Sequence, residues 1–182
     1  MSRILSLTIV LAATQVFLTG CAQNNTIAGK NPTAAEVIRG VPFVKQKNKF
    51  CGPAAMASVL KYYGDEVTQE EIAEAVYTPK LDGALISDME NFARDSGYRA
   101  ETINGNIDSL EAEIDKGIPV IVLVEKGKWM LSVPHYYVAY GYDAEEKVFI
   151  VHTGYESGER IPFDRLDREW EKMNRLMLIV TK

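Results

Sequence analysis

The chain has 182 residues, of which 47% are hydrophobic and 25% charged, and its formal net charge is −5. This length suits one domain that buries its core without disulfide or metal support. An excess of acidic residues argues against nucleic-acid binding, which needs a positive surface. With two cysteines and two histidines in all, the chain has no disulfide framework and no finger-like zinc spacing. The sequence therefore predicts neither a metal nor another cofactor.

The first 20 residues have the pattern of an export signal. A single basic residue, Arg3, precedes an apolar stretch at 4–17, which is too short and too polar for a membrane span. Gly20 stands before Cys21, and residues 18–21 (L-T-G-C) resemble a bacterial lipobox. That resemblance implies lipidation of Cys21, which becomes the first residue of the mature protein. The alternative is an ordinary secretory signal that contains a cysteine by chance.

The residues after Cys21 are predicted to form a tether. The stretch up to residue 40 is polar and shows no convincing periodicity before Ala34. Ala22, rather than Asp, follows the cysteine, which favours the periplasmic face of the outer membrane if the organism is Gram-negative. The predicted organisation is a signal peptide at 1–20, a lipidated tether at 21–40 and a folded domain at 41–182.

The folded domain is predicted to begin with helices. Apolar residues recur at helical spacing, and glycines mark several of the ends. The T-Q-E-E sequence forms a capping box of Thr68 and Glu71, and Asp108 is the expected N-cap of the fourth helix. These helices are predicted at 53–63, 68–76, 85–96 and 108–116.

Strands are predicted for most of the remaining chain. Residues 118–124 form a continuous run rich in β-branched residues, which is typical of a buried strand. A turn-like D-A-E-E-K between 135–142 and 148–153 predicts a hairpin. A short helix at 164–173 and a last strand at 176–181 follow. Helices first and strands afterwards indicate an α+β domain, with N-terminal helices packed on a C-terminal antiparallel sheet.

Cys51 is the candidate nucleophile. Gly52, Pro53 and a helix follow it, so its sulfur is expected at a helix N-terminus, where free N–H groups favour the thiolate. The alternative for an isolated cysteine is a small buried hydrophobic residue. Gln46 stands five residues upstream and can help the backbone N–H of Cys51 to stabilise an oxyanion. His135, which opens a predicted strand, is one of two available bases.

Two motifs and their order resemble the bacteriocin-processing cysteine peptidases that cleave double-glycine leaders. The motifs are Q-x4-C-G-P-A-A-x-A-x-V-L-x-Y-Y-G and the later H-Y-Y-V-A-Y-G-Y-D. The resemblance runs from about Val41 to Gly154, and more weakly to Trp170. It implies a papain-like fold and a peptide or protein substrate. It also implies, position by position, the nucleophile Cys51, the oxyanion-hole residue Gln46 and the general base His135.

Leader-processing members of this family are usually fused to an ATP-driven exporter. The present sequence shows neither membrane spans nor a G-x-x-x-x-G-K-[ST] loop. The Gly-Gly cleavage site of that family is therefore not carried over to this chain.

The third catalytic position departs from the family, which usually supplies an aspartate to orient the histidine. If Gly141 faces Val148 across the hairpin, Tyr137 faces His152. His152 is then a diagonal neighbour of His135, roughly 7–8 Å away between backbones. The sequence therefore predicts His152 as the residue that orients His135.

Two alternatives stay open at this position. A register shifted by one residue favours the hydroxyl of Thr153 as the hydrogen-bond acceptor. Neither Thr153 nor a neutral His152 supplies the buried negative charge of an aspartate. A metal bound by His152, His135 and Cys51 is the second alternative.

The sequence as a whole predicts an exported, lipid-anchored, papain-like cysteine peptidase that touches the membrane through its anchor only. Two other functions remain open. One is a cell-wall amidase or acyl transferase that uses the same Cys–His pair. The other is a catalytically weak or inactive peptidase-like binding lipoprotein.

Overall fold

The computed structural model describes residues 35–127 and 132–182. The predicted signal peptide, Cys21 and most of the predicted tether lie outside these ranges. Within them, none of the helices has the length and apolar character needed to cross a membrane.

The helices form close to their predicted positions. Phe50 is the N-cap of the first helix, and the Ala54 N–H donates to the Phe50 carbonyl at 2.8 Å. This helix therefore begins two residues before its predicted start at Pro53. The capping box of Thr68 and Glu71 is confirmed. The helices are α1 (Cys51–Tyr62), α2 (Gln69–Val76), α3 (Ile86–Asp95), α4 (Ile107–Asp115) and α5 (Phe163–Glu171).

The N-cap of α4 differs from the prediction. Asn106, not Asp108, caps this helix. The Asn106 Oδ1 accepts from the Ser109 N–H at 2.8 Å, and the Asn106 N–H donates to the Ser109 Oγ at 2.8 Å. Because this reciprocal pair satisfies two N–H groups at once, the helix begins before Asp108, which lies in its first turn.

The strands form one antiparallel sheet and a separate two-stranded ribbon. The order in the sheet is β4-β9-β5-β6-β7-β8, with β1 added beside β6, and β2 pairs with β3 in the ribbon. The predicted α+β class with an antiparallel sheet is confirmed. The strands are β1 (Glu36–Val37), β2 (Tyr77–Thr78), β3 (Gly83–Ala84), β4 (Arg99–Asn104), β5 (Val120–Glu125), β6 (Pro134–Asp143), β7 (Val148–His152), β8 (Glu159–Pro162) and β9 (Leu176–Thr181).

The folded domain extends further towards the N-terminus than its predicted start at Val41. Val37 of β1 pairs with Gly141 of β6. The Ile38 N–H donates to the Tyr140 carbonyl at 2.8 Å, and the Ile38 side chain is buried. A two-residue strand is too short to give a periodic pattern, which explains the late boundary.

The register predicted for the β6–β7 hairpin is wrong. Val148 faces Asp143 rather than Gly141, and His152 faces Val138 rather than Tyr137. The Asp143 carboxylate accepts the N–H groups of residues 145 and 146, which closes a tighter turn than expected. A bulge between residues 139 and 141 then shifts the pairing back by one residue, so the predicted register is off by two residues near the turn and by one residue at His152.

The two faces of β6 pack against different helices. Tyr136 lies against the start of α1, beside Gly52, and its hydroxyl donates to the Ala84 carbonyl at 3.0 Å. The hydroxyl of Tyr137 donates to Glu169 of α5 at 3.4 Å. Successive side chains of a strand point to opposite faces, so neighbouring residues of β6 serve different sides of the sheet. His135 shares the face of Tyr137, whereas Val138 shares the face of Tyr136.

Candidate active site

Cys51 is the first residue of α1, as the sequence predicts. Its side chain is half-buried, and burial is the main influence on its pKa, which it raises. Backbone N–H groups of Tyr136, Gly52 and Cys51 itself act in the opposite direction and lower the pKa of the thiol. The helix start therefore offsets only part of the cost of placing a thiolate in this position.

Gly52 allows the start of α1 to pack tightly. A Cβ atom at this position would lie 2.9 Å from the Met89 sulfur, 3.2 Å from the Ala84 Cβ and 3.3 Å from the Tyr136 ring. A side chain here would have to displace Met89 and would crowd Ala84 of β3 and Tyr136 of β6. Glycine thus allows the first turn of α1 to lie close to the strand that carries His135.

His135 lies at the start of β6 and is only 5% exposed. Its Nε2 lies 2.7 Å from the Thr153 carbonyl oxygen. A carbonyl can only accept, so Nε2 carries the proton and Nδ1 is the basic nitrogen. Burial lowers the pKa of His135, and the Thr153 carbonyl partly opposes this effect.

Gln46 lies on the chain segment that leads into α1. Its backbone N–H donates to the Gly154 carbonyl at 2.9 Å, and its Nε2 donates to the Tyr155 hydroxyl at 3.1 Å. The side-chain oxygen is buried and has no hydrogen-bond partner in the described part of the chain. This oxygen packs directly against the Cα of Gly154.

The structure brings three of the predicted residues to one cleft. Gln46, Cys51 and His135 all line a cleft of about 370 Å³. Leu81 and Val133, both exposed apolar residues, lie on its rim. The candidate nucleophile, base and amide donor thus face a space in which a substrate can bind.

His152 does not orient His135, contrary to the prediction. It faces Val138, which places its ring on the other face of the sheet. Its Nε2 donates to the Val41 carbonyl at 3.1 Å, and its Nδ1 accepts the Gly158 N–H at 3.3 Å. Both ring nitrogens therefore bind backbone groups, and His152 holds the N-terminal segment and the loop after β7 in place.

Two alternatives were open for the third catalytic position, namely Thr153 as the acceptor for His135 and a bound metal. Thr153 supplies the acceptor, but through its backbone carbonyl; its hydroxyl accepts the Glu156 N–H at 3.0 Å. Among the described residues, no three His, Cys, Asp or Glu side chains converge as a metal site needs. A backbone carbonyl leaves no trace in sequence, because every residue carries one.

Tyr155 is part of the site, and the sequence reasoning missed it. Its ring is stacked on the imidazole of His135, with the centroids 5.6 Å apart and the planes 8° from parallel. Its hydroxyl is the acceptor for Gln46. No periodicity or motif marked this residue, because it lies in an irregular loop after β7.

Comparison with known proteins places these features in a family context. A family model described as "Peptidase_C39 like family" matches residues 38–178. The pediocin PA-1 transport/processing ATP-binding protein PedD of Pediococcus acidilactici is 33% identical over 90 residues. Those residues are 50% of this chain but only 12% of PedD, so this chain spans a small part of that relative's length.

Solved structures share the fold. The peptidase domain of Streptococcus ComA, a bifunctional ABC transporter involved in a quorum-sensing pathway, superimposes with a TM-score of 0.65 and 28% identity, covering 78% of this chain and 98% of that one. A double-glycine-motif protease from an AMS/PCAT transporter, solved in complex with its leader peptide, gives a TM-score of 0.62 and 24% identity, covering 81% and 98%.

Proposed function

Since the chain belongs to the Peptidase_C39 like family and has a papain-like cysteine peptidase fold, we propose that it hydrolyses peptide bonds with Cys51 as the nucleophile. The observation that supports this most directly is the shared cleft of Cys51, His135 and Gln46. Each of these side chains matches a chemical requirement of acyl transfer: a thiol, an imidazole with a free Nδ1, and an amide donor.

The reaction begins with proton transfer from the Cys51 thiol to the Nδ1 of His135. The sulfur attacks the carbonyl carbon of the substrate, and the oxygen of that carbonyl becomes an oxyanion. The Gln46 amide and the backbone N–H of Cys51 stabilise this charge. The imidazolium then protonates the leaving amine, which yields a thioester. A water molecule, deprotonated by His135, hydrolyses the thioester and restores the thiol.

Burial favours keeping the proton on sulfur in the resting enzyme. Burial raises the pKa of Cys51 and lowers the pKa of His135, so both groups are favoured in their neutral forms at rest. The Thr153 carbonyl keeps His135 in the correct tautomer, yet it lacks the full negative charge that stabilises an imidazolium in a carboxylate triad. We therefore expect slower turnover than in a relative with an aspartate at this position.

The substrate class proposed is a peptide or a peptide segment of a protein. The likeness to a protease solved with its leader peptide supports this class, as do the apolar residues on the rim of the cleft. Transport, which the names of PedD and ComA include, is not part of the proposal.

The test compares the wild-type chain with its Cys51→Ser variant. A library of peptides with and without Gly-Gly sequences is incubated with each protein, and the products are identified by mass spectrometry. We expect cleavage by the wild type and a rate at least about 10⁴-fold lower for the variant, on the order of the loss when one catalytic group is removed. Peptidoglycan fragments are included as a second substrate class. Cleavage of these fragments alone, or equal activity of both proteins, would contradict the proposal.

We further propose that Cys21 carries a lipid and, if the organism is Gram-negative, that the protein lies at the periplasmic face of the outer membrane. The lipobox-like sequence at residues 18–21 and Ala22 support this proposal. Metabolic labelling with an alkyne-bearing fatty acid tests it, with Cys21→Ala as the control. Labelling of both proteins, or of neither, would contradict the proposed anchor.

A further inference from the structure

We propose that Tyr155 is a positioning residue that holds the imidazole of His135 and the carboxamide of Gln46 at the same time. This role rests on the proposed peptidase function, because it concerns the base and the oxyanion donor of that reaction. Tyr155 contacts both side chains, one through its ring and the other through its hydroxyl. It replaces part of what the missing aspartate does in the family.

The stack fixes the plane of the His135 ring. The bond from Nε2 to the Thr153 carbonyl holds one atom of the imidazole but does not prevent the ring from tilting about that atom. The Tyr155 ring covers one side of the imidazole at 5.6 Å, within the usual range for aromatic pairs, and Tyr137 meets it edge-on at 5.5 Å. A tyrosine face also favours the imidazolium that forms during the reaction.

The hydroxyl decides how the Gln46 carboxamide lies. The oxygen of this group is buried against Gly154 and has no hydrogen-bond partner among the described residues, so no bond on that side sets its orientation. On the other side of the carboxamide, the hydrogen bond from Nε2 to the Tyr155 hydroxyl, at 3.1 Å, sets the orientation of the group. Because an amide nitrogen carries two hydrogens, the second one stays available for the oxyanion.

The loop that carries Tyr155 does not depend on this side chain for its structure. The Thr153 N–H donates to the Glu156 carbonyl, and the Gln46 N–H donates to the Gly154 carbonyl. Tyr155 itself is 56% exposed. Substitutions at this position therefore leave the fold intact, and their effects report on the site.

Three variants separate the two contacts. Tyr155→Phe and Tyr155→Trp keep a stacking ring but remove the acceptor for Gln46, because an indole can only donate. Tyr155→Leu removes both contacts. The measurements on the full chain are kcat and KM for peptide hydrolysis, and the pH dependence of Cys51 alkylation by iodoacetamide. Alkylation uses the Cys–His pair but no oxyanion hole.

We expect Tyr155→Phe and Tyr155→Trp to lower kcat by about threefold to tenfold, the factor that one net hydrogen bond represents, with an unchanged alkylation profile. Tyr155→Leu is expected to lower kcat further and to slow alkylation near neutral pH by a similar factor. In a Gln46→Ala background, Tyr155→Phe should cause no further loss, because its effect passes through Gln46.

The role is overturned if Tyr155→Leu hydrolyses peptides and alkylates as the wild type does. It is also overturned if Tyr155→Phe lowers the activity of the Gln46→Ala protein as much as that of the wild type. A wild type that cleaves no peptide would refute the peptidase proposal instead. In that case a changed alkylation profile in Tyr155→Leu still supports the contact with His135, and an unchanged one overturns it.

Discussion

Gly154 lies beneath the proposed oxyanion donor. Its φ is +81°, in the left-handed region, and a Cβ atom at this position would collide with the side-chain oxygen of Gln46. Because that oxygen ends a flexible side chain, an added methyl group displaces the carboxamide rather than the backbone. The absence of a side chain at residue 154 therefore allows Gln46 to reach its place in the cleft.

Gly154→Ala should consequently lower kcat more than it lowers stability. Displacing the amide donor costs about tenfold or more in kcat, part of the effect of removing an oxyanion-hole donor. The left-handed backbone adds about 1 kcal/mol of strain to the folded state. Gly97→Ala is the matched control, since its φ is +87° and nothing lies within 4 Å of its added Cβ. Chemical unfolding and peptide hydrolysis check both variants. Equal kcat values for the two would contradict the assigned role of Gly154.

A substitution of Thr153 tests whether its backbone carbonyl or its hydroxyl orients His135. The acceptor for His135 is the backbone carbonyl of Thr153. A substitution at this position keeps that carbonyl as long as the backbone does not move. We therefore expect Thr153→Ala to lower kcat by less than about tenfold, the cost of the lost hydroxyl bond to the Glu156 N–H. A loss of about 10⁴-fold, as when a triad aspartate is replaced, would show that the hydroxyl itself orients His135. Thr153→Ser, which keeps the hydroxyl, is the control.

Local sequence signals predicted the helices well, because the signals that mark a helix lie within the helix itself and at its ends. Capping residues, stop glycines and apolar spacing are all properties of a short segment, and α2 begins at the predicted capping box. Strands β4 and β8 lie at the two ends of the main sheet path and mix polar with apolar residues. Edge strands have weaker apolar patterns than central ones, so no strand was predicted at either position.

The error at the third catalytic position came from pairing, which is not a local property. The positions of Cys51, His135 and Gln46 follow from motifs, and the structure brings all three to one cleft. The partner of His135 depends on the turn after Asp143 and on a bulge near Tyr140. A shift of one residue in strand register moves a side chain to the other face of the sheet. His152 therefore lies on the face opposite His135.

Residues 132 and 133, at the end of the connection between β5 and β6, line the cleft, and Glu125 binds both ends of this connection. The Glu125 Oε1 accepts the Gly127 N–H at 2.5 Å and the Val133 N–H at 3.3 Å. Its Oε2 binds Lys172 at 2.8 Å, and Lys172 is the main cause of its lowered pKa. The carboxylate thus clamps the two ends of the segment that brings Val133 to the cleft rim.

Glu125→Ala should raise KM for peptides by about threefold or more, the effect of losing one or more hydrogen bonds that hold a binding loop. We expect kcat to change less, because the Glu125 carboxylate binds the N–H groups of residues 127 and 133 and none of Cys51, His135 and Gln46. Lys172→Met is the control, since it removes the ion pair but leaves both N–H bonds to the carboxylate. Steady-state kinetics of the two variants and the wild type measure KM and kcat for peptide hydrolysis. The clamp has no role in substrate binding if Glu125→Ala leaves KM unchanged or if Lys172→Met raises it equally.

The two buried histidines make the stability of the folded domain depend on pH. Both are 5% exposed, and burial lowers the pKa of each. In the unfolded chain their pKa is about 6.5, so below that pH the unfolded state binds protons that the folded state does not. Their contribution to stability is present above pH 6.5 and is lost as the pH falls towards their lower folded-state pKa values. Lowered carboxylate pKa values, such as that of Asp143, act in the same direction but only at more acidic pH.

The free energy of unfolding should therefore fall as the pH drops from 7.5 to 5.5, with a slope of up to about 1.4 kcal/mol per pH unit for each histidine. Urea unfolding at several pH values measures this slope. His152→Gln should halve it, because glutamine can still donate to the Val41 carbonyl and accept the Gly158 N–H but does not titrate. His135 and His152 lie on opposite faces of the sheet and share no hydrogen-bond partner, so their contributions should add. A flat profile in the wild type, or the full slope in His152→Gln, would contradict the assignment of both rings as buried and neutral.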